Sequence, residues 1–289
     1  MRRLIVLGAL ALALAAGLYA AVVIASAGLP PVDDLARRAP RRTSLMRARE
    51  AEARHQGRTH RIDQRWAPYE HISPLLRRAV LIAEDDAFFS HDGLDWDELK
   101  HAARANLQKR RVVRGGSTIT QQLAKNLYLS EERTALRKLK EVILAVRLER
   151  ALSKRRIFEL YLNLIEWGDG IHGAEAAARR YFGVSAADLD ARQAALLAAV
   201  IINPRRYSPE DPGRRIQRRT RMILSRMKRR GVVSEAEYRA ALGEAPPPGR
   251  PEWLFGPPPD TASAPVEPTP STPTDSLAPP PPDTLAPAG

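Results

Sequence analysis

Cysteine is absent from the 289 residues, which excludes disulfides, thiolate nucleophiles and zinc-thiolate centres and leaves the compartment open. Aromatic residues are few, and no run alternates apolar and polar residues long enough to argue for a strand; Val112-Val113 and Val232-Val233 are too short. The expected fold is therefore mainly α. Charge is missing from residues 4–28, and basic charge is missing after Arg250. Those two absences mark the ends of the chain as unlike its middle.

The uncharged stretch is rich in Leu, Ala, Val and Ile and long enough to span a bilayer as a helix. Arg2 and Arg3 precede it and Ala25-Ser26-Ala27 offers small residues suited to cleavage, yet the apolar run exceeds a secretory core of about 7 to 15 residues. A retained anchor is the favoured reading. Arginines flank the span on both sides (Arg2 and Arg3, then Arg37, Arg38, Arg41, Arg42 and Arg47), so charge alone does not orient it. At the other end, residues 246–289 hold most of the 24 prolines with Ser, Thr and Asp, a composition expected to be disordered. Trp253-Leu254-Phe255 is the single apolar knot there.

What the middle has in excess is positive charge: 46 Lys and Arg against 33 Asp and Glu, a net +13. This suits nucleic acid, an anionic membrane surface or a phosphate-bearing substrate. Beside a membrane span, the last two are favoured. Residues 29–64 read as a basic juxtamembrane linker, and 65–245 as one helical domain.

Within that domain, Ser73-Pro74 signals a helix start, followed by apolar Leu75, Leu76, Ala79, Val80 and Ile82. Glu84 follows this apolar approach and is flanked by Phe88 and Phe89. Desolvation there would raise its pKa and suit proton transfer. The same segment equally allows Glu84 or Asp85 to cap a helix or pair with an arginine. Residues 96–111 read as a basic amphipathic helix, for a membrane surface or simply solvated. Helices are expected over 134–152, with Leu136, Leu139, Ile143, Val146 and Ala151 as its apolar stripe and Glu141 off it near Arg137 and Lys138. Others are expected from Ser153, over 174–182, 186–201 and 213–230, and from Ser234. Glu166-Trp167-Gly168 falls in a turn-rich loop.

The chain is organised around residues 114–126, Arg-Gly-Gly-Ser-Thr-Ile-Thr-Gln-Gln-Leu-Ala-Lys-Asn. Two glycines lead into a helix that Ser117 or Thr118 can cap. A glycine turn feeding a helix N-terminus presents unpaired N–H groups and the positive end of the dipole to an anion.

Taken together these segments resemble the family 51 glycosyltransferases, the peptidoglycan polymerases. Glu84-Asp85 with Phe88, His91, Gly93 and Asp95 is similar to the first family motif and residues 115–126 to the second. Arg137-Lys138 with Glu141, Ala145 and Glu149 is similar to the third. Lys154, Ile157, Glu159, Tyr161, Leu162, Asn163, Gly168 and Gly173 match the fourth, and Gln193 to Asn203-Pro204 the fifth. Ile202 stands where members often carry Pro. Ser225-Arg226-Met227-Lys228 fits the nucleophile pattern of penicillin-binding transpeptidases, but nothing like Lys-Thr-Gly follows, so the resemblance is to monofunctional members.

The resemblance implies a lysozyme-like helical glycosyltransferase domain behind an N-terminal transmembrane helix. It implies that lipid II is polymerised into β-1,4 glycan with inversion and release of polyprenyl pyrophosphate. Glu84 would be the base. Glu141 would position substrate or a divalent cation, Mg or Mn, near the leaving group; no organic cofactor is implied. Lys125, Arg133 and Arg137 would hold pyrophosphate, with Ser117, Thr118, Gln121, Gln122 and Asn126 binding sugar and phosphate oxygens. The implied partners are lipid II, the growing lipid-linked glycan, membrane lipids around residues 96–113 and other cell-wall synthesis proteins, and no nucleic acid. The implied location is the bacterial inner membrane, single-pass, with the catalytic domain on the outer, periplasmic face. Two rivals stand beside this: a lysozyme-like hydrolase or lytic transglycosylase, which also uses a Glu, and a tethered, non-enzymatic binder of nucleic acid or anionic lipid.

Overall fold

An uncharged run of Leu, Ala and Val has few ways to hide its side chains within a small domain, and α1 (Arg2–Ser26) leaves them outside, with Leu10, Leu12, Leu14 and Leu18 exposed. The computed structural model describes residues 2–109, 116–132 and 134–244. Val6–Ser26 is long and apolar enough to cross a bilayer, which fits a single-pass anchor. Arg114, Gly115, Arg133 and the proline-rich tail with Trp253, Leu254 and Phe255 lie outside the described residues.

The stretch expected as a linker is folded. Thr43 caps α2 (Ser44–His55), its Oγ1 accepting from the Met46 N–H at 3.1 Å, and Leu45, Met46 and Ala53 are buried. Its charge-rich composition hid a narrow apolar face, because the arginines and glutamates occupy the rest of the cylinder. Asp63–Gln64 forms β1, which pairs in parallel with β3 (Ile171–His172); β3 pairs antiparallel with β2 (Glu166–Gly168). The fold is mainly α as expected, and Glu166–Gly168, expected in a turn-rich loop, forms a strand. Strands of two or three residues are too short to show alternation, and their pairing is decided by contacts far apart in the chain.

Eight helices follow α2 in the order expected: α3 (Pro74–Glu84), α4 (Trp96–Gln108), α5 (Ile119–Tyr128), α6 (Ala135–Ala151), α7 (Lys154–Leu164), α8 (Ala174–Phe182), α9 (Ala191–Val200) and α10 (Arg214–Arg229). A ninth, α11 (Glu235–Leu242), completes the described fold. Ser73, Thr118, Thr134, Ser153 and Ser234 cap their helices with side-chain oxygens. The helix expected from residue 186 instead starts at Ala191, because Asp190 and Gln193 form a reciprocal cap; the Ala186 N–H goes to Glu175 at 2.7 Å.

α9 is buried all round, its alanines letting α3 and α10 approach closely, while α5 packs against both α6 and α7. An aromatic chain of Phe88, Phe158 and Tyr161, with ring centroids 5.6 and 6.4 Å apart, ties the turn after α3 to α7. Each such buried ring contributes about 1.5–3 kcal/mol. α6 departs from the expected stripe. Its buried residues are Glu141, Leu144, Ala145 and Leu148, whereas Leu136 is exposed and Leu139, Ile143 and Val146 are half-buried. Glu141 therefore lies on the inward face, where its own helix supplies the charges that make burial tolerable.

Candidate active site

α3 carries an apolar face up to its last residue, so Glu84 arrives at the surface of the core at a helix C-terminus. There it meets two other elements. Arg219 of α10 donates to Oε1 at 2.8 Å, and Gln122 of α5 donates to Oε2 at 3.1 Å. The Tyr161 hydroxyl of α7 in turn donates to Gln122 Oε1 at 2.9 Å, fixing which end of the amide faces Glu84. The Glu84 side chain is 13% exposed. Burial raises its pKa above the ordinary carboxylate value, while Arg219 and the Gln122 hydrogen bond pull it down. Burial also holds the Tyr161 phenol well above its usual range, so it remains a donor. Both sequence readings of this segment hold a share: Glu84 is desolvated, and it is paired with an arginine.

Asp85 does different work. Its Oδ2 accepts from the Ile119 N–H, the first residue of α5, at 2.9 Å, and His91 Nε2 lies 3.0 Å from Oδ1. Thr118 donates to the Gly93 carbonyl at 2.7 Å and forms a reciprocal cap with Gln121, at 3.2 and 3.1 Å. The positive end of α5 thus binds an anion as its sequence suggested, but the anion is the protein's own Asp85. Gln121 is buried and engaged by this cap. Asp85, His91 and Asp95 bring ligand-type atoms within 4.8 Å of one another. Asp95 caps α4 through the Glu98 N–H at 2.7 Å, while Asp85 and His91 pair with each other.

Glu141 is 4% exposed and both its oxygens are taken: Arg137 donates to Oε2 at 2.6 Å and Lys138 pairs with Oε1. Lys138 also donates to Ser117 Oγ at 3.2 Å, linking α6 to the turn before α5. A carboxylate already facing two cations at both oxygens does not fit a divalent ion.

Two cavities gather the predicted residues. One of about 970 Å³ is lined by Glu84, Ser117, Thr118, Ile202, Arg219 and Arg229. A second of about 250 Å³ is lined by Gln122, Lys125, Asn126, Tyr161 and Glu166, and shares Ile202 with the first. Ser117 and Lys125 therefore face different spaces, as their separation along the chain suggested. Glu141, Arg137 and Gln121 line neither. Sequence reasoning missed Arg219. It also missed Arg49 of α2, which donates to Glu166 Oε2 at 3.2 Å and Glu131 at 2.7 Å and closes one side of the smaller cavity. The available signal was a basic helix at 213–230, with nothing to single out one arginine.

A helical domain behind an N-terminal helix long and apolar enough to cross a bilayer, with a desolvated carboxylate at the wall of a cavity of about 970 Å³, has the make-up of an enzyme. The transglycosylase family matches residues 51–228. The biosynthetic peptidoglycan transglycosylase of Laribacter hongkongensis is 53% identical over 163 residues, 56% of this chain and 72% of that one. Its counterpart in Janthinobacterium sp. (strain Marseille) is 50% identical over 188 residues, 65% and 81% of the two chains, and that of Nitrosospira multiformis 47% over 188 residues, 65% and 82%. The chain belongs to the transglycosylase family.

Proposed function

We propose that this chain polymerises lipid II into β-1,4 glycan strands with inversion, Glu84 acting as the base. The observation that carries the reading is the Glu84 carboxylate, desolvated at the wall of the larger cavity and held between Arg219 and Gln122. In the step, the 4-hydroxyl oxygen of the acceptor sugar bonds to the anomeric carbon of the growing strand and its proton passes to Glu84. The bond from that carbon to pyrophosphate breaks, and its electron pair leaves with polyprenyl pyrophosphate. Charge develops on the leaving group, so fixed cations there stabilise the transition state.

Lys125, Arg133 and Arg137 are the cations we assign to pyrophosphate, with Gln122, Asn126, Ser117 and Thr118 offering polar contacts. Glu141 keeps Arg137 and Lys138 in place on α6. No step is routed through Mg or Mn, because both Glu141 oxygens already face cations. We place the N-terminus in the cytoplasm and the catalytic domain on the outer face of the inner membrane. Exposed Phe89, Trp96, Leu99 and Leu107 offer apolar surface to membrane lipids. The names of the relatives support synthesis rather than lytic cleavage.

The test is incubation of purified full-length protein with lipid II in detergent. Polymer is expected, and Glu84→Gln is expected to lower its rate by about 10²-fold or more with an unchanged circular dichroism spectrum. Full activity of that variant would remove Glu84 from the role. Cleavage of finished peptidoglycan with no polymer would restore the lytic reading.

A further inference from the structure

Arg219 is the side chain on α10 that reaches Glu84, and its setting is specific. One guanidinium nitrogen donates both to Glu84 Oε1 at 2.8 Å and to the Ala83 carbonyl at 3.1 Å. Arg226, seven residues on and on the same face of α10, donates to the Ile82 carbonyl at 3.4 Å. Two arginines thus close the C-terminus of α3, where carbonyls lack helical partners and the dipole is negative. Ending a helix on a buried glutamate is unfavourable for a carboxylate: burial, the dipole and neighbouring Asp85 all favour its neutral form. Among the described residues, from α5 and α7 it meets only the neutral Gln122 and, behind it, the protonated Tyr161. Arg219 is the cation paired with it.

We infer that Arg219 is a positioning residue that keeps the Glu84 carboxyl ionised and aimed into the larger cavity, acting on the reaction only through Glu84. This rests on the reading of Glu84 as the base. A base must be deprotonated before it can accept the hydroxyl proton. With Arg219 the carboxyl titrates lower than burial alone would allow; without it, the folded-state pKa rises and the acidic limb of the rate profile moves to higher pH.

The experiment uses full-length wild type, Arg219→Gln and Arg219→Lys, with folding checked by thermal unfolding. The Glu84 carboxyl is titrated by carbon-13 NMR of glutamate-labelled protein, its signal assigned with Glu84→Gln, and kcat and KM for lipid II are measured against pH. Arg219→Gln is expected to raise the Glu84 titration and the acidic limb of kcat together by about 1–3 pH units. KM should stay within roughly twofold and rate should return at high pH. Arg219→Lys, which keeps the charge without the planar fork, is expected to fall between the two and decides the matter if the glutamine variant unfolds. An unmoved carboxyl titration, or an unmoved limb with a raised KM, overturns the inference; the latter would mean that Arg219 touches substrate directly. A wild type that makes no polymer, yet whose Glu84 titration rises in Arg219→Gln, would refute the base reading and leave the ion pair standing.

Discussion

Replacing Asp85 by alanine tests whether this carboxylate, next in sequence to Glu84, is a structural clamp. Asp85 is 8% exposed and receives the Ile119 N–H at 2.9 Å and His91 at 3.0 Å. Alanine leaves two buried donors without partners, at about 1–3 kcal/mol each, and removes a negative charge from the α5 N-terminus, at about 0.3–1 kcal/mol. The sum is about 2–7 kcal/mol, a large share of the roughly 5–15 kcal/mol that holds a domain folded. At about 2–4 °C per kcal/mol for a domain of this size, Tm should fall by about 5–28 °C. Asp85→Asn retains one acceptor and should lose about half as much. The assay is thermal unfolding of the detergent-solubilised chain followed by far-UV circular dichroism. A Tm for Asp85→Ala within about 1 °C of wild type would refute the clamp.

Asn163 is fully buried, accepting from the Ala67 N–H at 2.8 Å and donating to the Ala67 and Glu159 carbonyls at 2.9 Å each, so Asn163→Ala should cost about 2–5 kcal/mol by denaturant titration. Arg239→Ala, which breaks an exposed pair with Glu235, should stay within about 1 kcal/mol in the same titration. His172 is buried and its pKa is depressed from 6.5 to about 4, chiefly by burial. The unfolded chain therefore binds a proton that the native state refuses. Stability should be full above the ordinary histidine pKa and fall by up to about 3 kcal/mol as pH drops from 6.5 through about 4. Unfolding scans across that window should show a shallower slope in His172→Gln, and an identical slope would refute the assignment.

Reading helices from this chain succeeded where a polar cap precedes an apolar run, as at Ser73, Thr118, Ser153 and Ser234, because a cap and a 3.6-residue repeat are local properties. Residues 44–55 and α6 misled for a shared reason. Composition reports how much apolar surface a segment has, and burial depends on which side a neighbour covers. On α6 the more apolar stripe stayed partly outside, and the face with Glu141 went in because Arg137 and Lys138 accompany it one turn away. The N-terminus of α5 holds a negative charge, and only the fold could supply Asp85 as its source.

By itself the sequence determined the apolar anchor, the order and caps of the helices, and the identity of Glu84 as the acid that ends an apolar helix. Each follows from neighbours within a few positions along the chain. Only the tertiary structure decided which groups face that acid. Arg219 lies 135 residues away and Gln122 lies 38 away. A carboxylate's charge state is set by whatever charges and dipoles come within a few ångströms, and chain folding selects those with no trace in local sequence.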